Sequence, residues 1–379
     1  MGRKRRTLGW LIALGLAAAF FLCAGSIADA ALSVRLLVGL GQLASGADAG
    51  DLAVVQARIS RSEEGRTHAA VAYRPAAPPA SVAVILAPGI SELGCDHPRL
   101  AALSRILAHN GFFVLTPDIV PLREFRIAPE AMDEMLFWRS QVPSLEGAEQ
   151  VQHTGLAGIS FSGTLALIAA AQPELRDQVA FVLSIGGYEN LRRCAQGWFA
   201  AGPITVGEGY YPTRYYARWI AMLDALDLVP DEGERARLET VLRNLLLQAD
   251  VPDKSADFGE PASRWDRLAR AREDESDAEL AGQIIARVLQ RSGERLSPAA
   301  AAREVRCPVF LAHGAFDDLI PPSESVELRK RITRAPSYLL ISPFLTHTHP
   351  AEDKLSSYAR VRASLEAYAF IYRLACTIR

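Results

Sequence analysis

The chain has little cysteine, little net charge and no cluster of metal-ligating residues. Five cysteines, Cys23, Cys95, Cys194, Cys307 and Cys376, are spread over 379 residues. No two form a C-x-x-C pair and none stands with histidine at metal spacing, which argues against a zinc site and gives no reason to expect any metal. The net charge is −2, and setting aside Arg3, Lys4, Arg5 and Arg6 leaves a body of about −6, the wrong sign for a surface that grips phosphates. No nucleic-acid partner is expected. The composition is not that of a disordered chain either, with 50% hydrophobic and 22% charged residues, enough apolar material for one large core or two modest ones. Before Cys23 stand Phe21 and Leu22, so the small residue that a lipoprotein signal needs is missing.

What is present begins with a basic flank. "GRKRR" precedes Leu8 to Gly25, an uncharged apolar stretch of about 18 residues that would extend about 27 Å as a helix. With Ala28-Asp29-Ala30 as an A-x-A cleavage site, residues 1–30 read as a signal peptide or, uncleaved, as a membrane anchor. Both readings leave the basic flank in the cytoplasm and export the body to the periplasm; the membrane is a partner only if the helix is retained. Four cysteines would then remain, enough for one disulfide whose pair the sequence does not select, and buried thiols are the main expectation. Residues 31–50, with "LSVRLLVGLGQLASG", read as a linker or an interfacial segment.

From Asp51 the pattern changes to short alternating runs. "LAVVQARIS" and "THAAVAYRP" flank the polar "RSEEGR", which predicts a strand hairpin. "SVAVILAPG" is a continuous apolar run suited to a strand buried on both faces. A helix over Arg99 to Asn110, stopped by Gly111, leads into the strand "FFVLTPD". Helix and strand then alternate through "APEAMDEMLFWRS", "HTGLAGIS", "GTLALIAAAQ" and "QVAFVLSIGG". Such alternation predicts a mostly parallel sheet flanked by helices. Over residues 188–297 it lapses into helical stretches rich in aromatic and charged residues, read as a helical cap inserted in a core of residues 51–187 and 298–379. "CPVFLAHG" restores the buried strand, followed by a helix over Ser323 to Arg331, the strand "SYLLIS" and a terminal helix from about Pro350 to Cys376.

"GISFSG", Gly158 to Gly163, falls where a strand gives way to a helix. A turn that sharp leaves no room two residues before and after its centre, and Gly158 and Ser162 are the small residues that free Ser160. This is the shape of a nucleophile elbow, which lifts a serine hydroxyl above the sheet. Ser162 is the weaker nucleophile candidate. A nucleophilic serine needs a base, a group to orient the base and donors for the oxyanion. After the last strand, "LTHTHP" offers His347 and His349 as bases. With Pro350 at the first helical position, His349 would be the helix N-cap, where an imidazolium meets the positive end of the helix dipole. His347 avoids that site and is the favoured base.

In these motifs the chain resembles the α/β-hydrolase superfamily from about Asp51 to the C-terminus, the cap excepted. The resemblance implies an α/β-hydrolase fold with an inserted helical cap behind an N-terminal hydrophobic helix. "HGAFDDLIP", His313 to Pro321, matches the segment that carries the family's acid and implies that role for Asp317, with Asp318 adjacent and Glu189 a lesser alternative. His313 is then structural, and His68, His97, His109 and His153 are surface or supporting residues. "APGI" takes the place of the oxyanion loop, which implies the backbone N–H groups of Ile90 and Phe161 as the donors. The chain order Ser, Asp, His is that of this fold. The expected function is a serine hydrolase that cleaves a carboxylic ester through an acyl-enzyme, using a small-molecule acyl substrate and no cofactor. A serine rather than an aspartate at the elbow argues against dehalogenase and epoxide hydrolase chemistry. The alternatives are a non-catalytic hydrolase-like binding protein or, among enzymes, a thioesterase, lactonase, peptidase or acyltransferase, which share the triad and differ in the pocket.

Overall fold

The computed structural model describes residues 27–44, 50, 52–200, 204–206, 209–211, 215–247, 258–270, 277–317, 319–345 and 356–378. The apolar stretch of residues 8–25 lies outside them, and among the described residues no helix is long and apolar enough to cross a membrane. The chain enters through α1 (Ile27–Ala44). This helix includes the A-x-A site, with Asp29 buried, and the segment read as a linker or an interfacial segment packs on the body through the buried Leu32 and Leu36.

The hairpin is tighter than its polar connector suggested. β1 (Val54–Glu63) and β2 (Arg66–Pro75) pair antiparallel as far as Glu63↔Arg66, leaving Glu64 and Gly65 at φ 49° and 77°, the two left-handed residues of a type I′ turn. β3 (Val82–Ala87) and β4 (Phe112–Pro117) are buried along their whole length. Between them α2 (Pro98–His109) starts with a proline inside and stops at Gly111, whose φ of 98° disfavours any other residue. The short α3 (Val120–Arg123) and α4 (Glu130–Gln141) lead to β5 (His153–Ile159), α5 (Phe161–Ala170) and β6 (Val182–Ile185). All ten residues of α5 are buried.

The stretch after β6 holds α6 (Leu191–Phe199), a small antiparallel pair β7 (Ile204–Val206) and β8 (Gly209–Tyr211), α7 (Tyr215–Asp224), α8 (Glu232–Leu246), α9 (Ala262–Arg270) and α10 (Ala278–Ser292). α11 (Pro298–Glu304), β9 (Val309–Gly314), α12 (Ser323–Arg331), β10 (Ser337–Ser342) and α13 (Ser357–Thr377) complete the chain. α13 begins later than the sequence suggested. Its N-cap is Ser356, whose side chain accepts from the Ala359 N–H; the expected helix start at Pro350, with His349 as its N-cap, lies outside the described residues.

The strands form one eight-stranded sheet in the order β1-β2-β4-β3-β5-β6-β9-β10, antiparallel at β1 and β2 and parallel from β4 onward. This is the α/β-hydrolase fold. Helices cover both faces, and each face has its own apolar core. Phe113, Leu115, Trp138 and Leu165 belong to one; Val84, Leu86, Phe181 and Phe310 belong to the other, beneath α1, α2 and α13. The strand order reverses at β3, because the chain leaves it for β4 on one side and returns to β5 on the other. In open α/β sheets the crevice beyond the strand ends at such a reversal is where ligands bind. The four described cysteines are all free, with Cys95, Cys194 and Cys307 buried.

Candidate active site

Ser160 lies at that reversal, between β5 and α5, with φ 59° and ψ −127°. A non-glycine residue at positive φ stores strain of order 1–3 kcal/mol, and the surroundings hold it there. The Ser160 N–H donates to the Ile185 carbonyl at 2.6 Å, and the Ser160 carbonyl accepts from the Gly163 N–H at 2.9 Å. Gly158 has no alternative, since a Cβ there would stand 2.0 Å from the Ser162 carbonyl oxygen. The Ser160 side chain is half-buried. Ser162 is fully buried, and its hydroxyl donates to the Pro88 carbonyl at 2.5 Å. That hydroxyl braces the loop after β3 and does not face the crevice.

The same loop passes beside the nucleophile candidate: a Cβ on Gly89 would lie 3.5 Å from the Ser160 Cβ. Phe161 opens α5, so its N–H has no acceptor within the helix. Among the described residues neither it nor the Ile90 N–H has a hydrogen-bond partner. Both residues line the cavity that contains Ser160, and free N–H groups there can receive negative charge.

Asp317 is buried on the loop after β9. Its Oδ1 accepts from the Leu319 and Ile320 N–H groups, each at 3.0 Å. His313 holds this loop from below. It is fully buried, with Nε2 2.8 Å from the Ile320 carbonyl and 3.4 Å from Asp317 Oδ2, and Nδ1 2.6 Å from the Ser325 hydroxyl. Nε2 therefore donates and Nδ1 accepts from the hydroxyl, which leaves neither nitrogen for a reacting proton. Gly314 is pressed by the far side of the site: a Cβ there would stand 2.4 Å from the Leu345 carbonyl oxygen and 3.6 Å from the Asp317 Cβ. The chain thus passes Asp317 two residues before His347. His347, His349 and Asp318 themselves lie outside the described residues.

Glu189, the other acid considered, is engaged elsewhere. Its carboxylate pairs with Arg193 at 3.1 Å and Arg331 at 2.5 Å. Beside it the fully buried Glu324 accepts from the Glu189 and Asn190 N–H groups at 2.9 and 2.8 Å and from Arg193 Nε at 2.5 Å. This network ties the start of α6 to α12. Sequence reasoning missed it because its members lie more than a hundred residues apart. Of the histidines read as surface or supporting residues, His68 is buried, 3.0 Å from Glu134 and stacked on Phe137. His97 accepts from the Arg99 N–H at the start of α2.

The cavity at Ser160 has a volume of about 930 Å³. On the α6–α7 side it is lined by Tyr188, Cys194, Trp198, Tyr216 and Ile220. Burial drives the Cys194 thiol well above its usual range, so Cys194 is not a competing thiolate nucleophile. Burial also raises the Tyr216 phenol, with the Glu92 carboxylate adding to the effect. Tyr188 stacks on Phe161 with ring centres 5.6 Å apart, and the Trp198 indole N–H donates to the Leu319 carbonyl at 2.8 Å. No group of metal ligands occurs among the described residues.

No protein-family model matches the sequence, and no curated protein is similar to it in sequence. Solved structures are similar to it. An acylaminoacyl peptidase of Pyrococcus horikoshii aligns over 84% of this chain at 14% identity with a TM-score of 0.48. The chain spans only 41% of that protein's length. Est1E from Butyrivibrio proteoclasticus aligns over 84% of this chain and 99% of its own at 13% identity, TM-score 0.45. A brefeldin A esterase, described as a bacterial homologue of human hormone-sensitive lipase, covers 91% of this chain and 86% of its own at 12% identity, TM-score 0.47. Similarity at this level transfers no activity to this chain.

Proposed function

We propose that the protein is a serine hydrolase that cleaves carboxylic esters through an acyl-enzyme. The observation that carries the proposal is Ser160 at positive φ, half-exposed in a large cavity beside the unpartnered N–H groups of Ile90 and Phe161. In this reading the Ser160 hydroxyl attacks the ester carbonyl while His347 takes its proton. The two N–H groups hold the oxyanion of the tetrahedral intermediate. His347 then gives the proton to the leaving alcohol, and the acyl group stays on Ser160 until water, deprotonated by the same imidazole, releases the acid. Asp317 orients the imidazole and stabilises its cationic form without taking the proton. The position of Leu345 against Gly314 and Asp317 supports His347 as the base. Export to the periplasm remains part of the proposal, on the strength of the basic flank and the apolar stretch that follows it.

The test is a fluorophosphonate probe together with nitrophenyl esters. Wild-type protein should be labelled and should turn over the esters. Ser160→Ala should lose both while keeping its melting temperature. Labelling that persists in Ser160→Ala would remove the nucleophile from the proposal.

A further inference from the structure

The cavity does not end at the α6–α7 side of Ser160. It continues along the opposite face of the sheet, beneath α1, where Leu36, Leu40, Leu86, Leu107, Phe181 and Phe370 are among its walls. α1 packs against both α2 and α13 and lies between them over the sheet. At Gly39 the helix backbone presses against α2, where a Cβ would meet Ile106 at 2.7 Å; two residues on, a Cβ on Gly41 would meet nothing within 4 Å. Gly41 lines the cavity and is exposed, so it marks a mouth.

Protein interiors keep few voids larger than a water molecule, and an apolar void forfeits the contacts its walls could have made. A chamber this open is suited to an occupant. The polar side chains on these walls are Ser364 of α13 and, at the end where α2 begins and β10 finishes, His97, Arg99 and Ser342. Away from that end, nothing on the walls but the Ser364 hydroxyl would satisfy a sugar, a peptide or a charged group. A hydrocarbon chain needs no such partner.

We propose that the chamber beneath α1 receives the aliphatic acyl chain of a lipid-like ester, placing its carbonyl at Ser160 and leaving the α6–α7 side for the alcohol. The inference rests on Ser160 being the nucleophile. It makes α1 a substrate-binding element. Each methylene that enters the chamber should raise kcat/KM about fourfold until the chamber is full, the ratio given by about 0.8 kcal/mol per buried CH₂.

The test compares nitrophenyl esters from acetate to palmitate in wild type, Gly41→Phe and Leu40→Trp. A side chain at position 41 enters open space, and replacing a helical glycine favours the folded state, so this variant blocks the mouth without a packing cost. The laurate-to-acetate ratio of kcat/KM should fall at least tenfold in both variants. An unchanged ratio in both would overturn the chamber assignment and leave the esterase reading standing. Failure of wild type on every ester would instead defeat the esterase reading. Binding of the fluorescent fatty acid cis-parinaric acid tests the chamber without catalysis: wild type should bind it and Gly41→Phe should not, whereas equal binding or none to either would overturn the assignment.

Discussion

Gly158→Ala tests whether the elbow geometry sets the position of the nucleophile. The added Cβ would stand 2.0 Å from the Ser162 carbonyl oxygen, 2.3 Å from its carbon and 2.8 Å from the Gly163 nitrogen. Real contacts of a Cβ begin near 3 Å, so the backbone must open by about 1 Å. β5 cannot retreat, because Gly158 is paired with Ala87 on one side and Ser184 on the other. α5 cannot retreat either, since every residue in it is buried. The displacement therefore falls on the turn and on Ser160. A 1 Å misplacement of a reacting group costs about 100-fold in rate, and the overpacking itself about 1–3 kcal/mol. Gly89→Ala is the steric control, as its Cβ would meet nothing closer than 3.5 Å. Nitrophenyl butyrate kinetics and urea unfolding on both variants give the comparison. A folded Gly158→Ala protein with wild-type kcat/KM would refute the argument.

Two further outcomes are expected. His347→Ala should lower kcat by roughly 10⁴- to 10⁶-fold, the scale of losing a triad base, against a mild loss for His349→Ala; steady-state kinetics with the opposite ranking would move the base to His349. Asp224 is buried at the end of α7, and burial, only partly offset by Arg291, raises its carboxyl to about 6. Its protonated form is therefore favoured by folding, a contribution present below about pH 4 and lost as pH rises through about 6, worth about 2–3 kcal/mol. Asp224→Asn should flatten that slope in urea unfolding between pH 4 and 7, and parallel curves for the two proteins would contradict it.

The sheet was legible because its cause is local. Inner strands such as Val82–Ala87 and Phe112–Pro117 are buried on both faces, so they read as unbroken apolar runs, and glycine at 111 marks the helix stop between them. The elbow was legible for the same reason, since Gly158 answers to a collision four residues away. The small pair β7–β8 was not, because three-residue strands leave no period to read. The cap of α13 was not legible, because Ser356, whose side chain takes up the Ala359 N–H, follows the stronger start signal of Pro350 with Glu352 and Asp353. Whether His68 is a surface or a supporting residue was not legible, because its partners, Glu134 and Phe137, arrive from a different element.

α1 was the least readable element, and the structure gives the reason. An amphipathic helix shows its period because one face meets protein and the other water. Here Leu32 and Leu36 are buried, Leu37 and Leu40 face a cavity, and Val34 and Val38 are about half-exposed. Three environments accept an apolar residue, so no polar stripe remains to fix the phase. The same lack of a stripe left residues 31–50 open between a linker and an interfacial segment. What the helix buries is modest, and what it encloses is large. Its placement between α2 and α13 keeps those two helices apart over the sheet, and the space it preserves runs to the strand ends where the chain reverses at β3. Ser160 stands where that space meets the one beneath α6 and α7, so a substrate with two unlike halves could place its scissile bond at the junction.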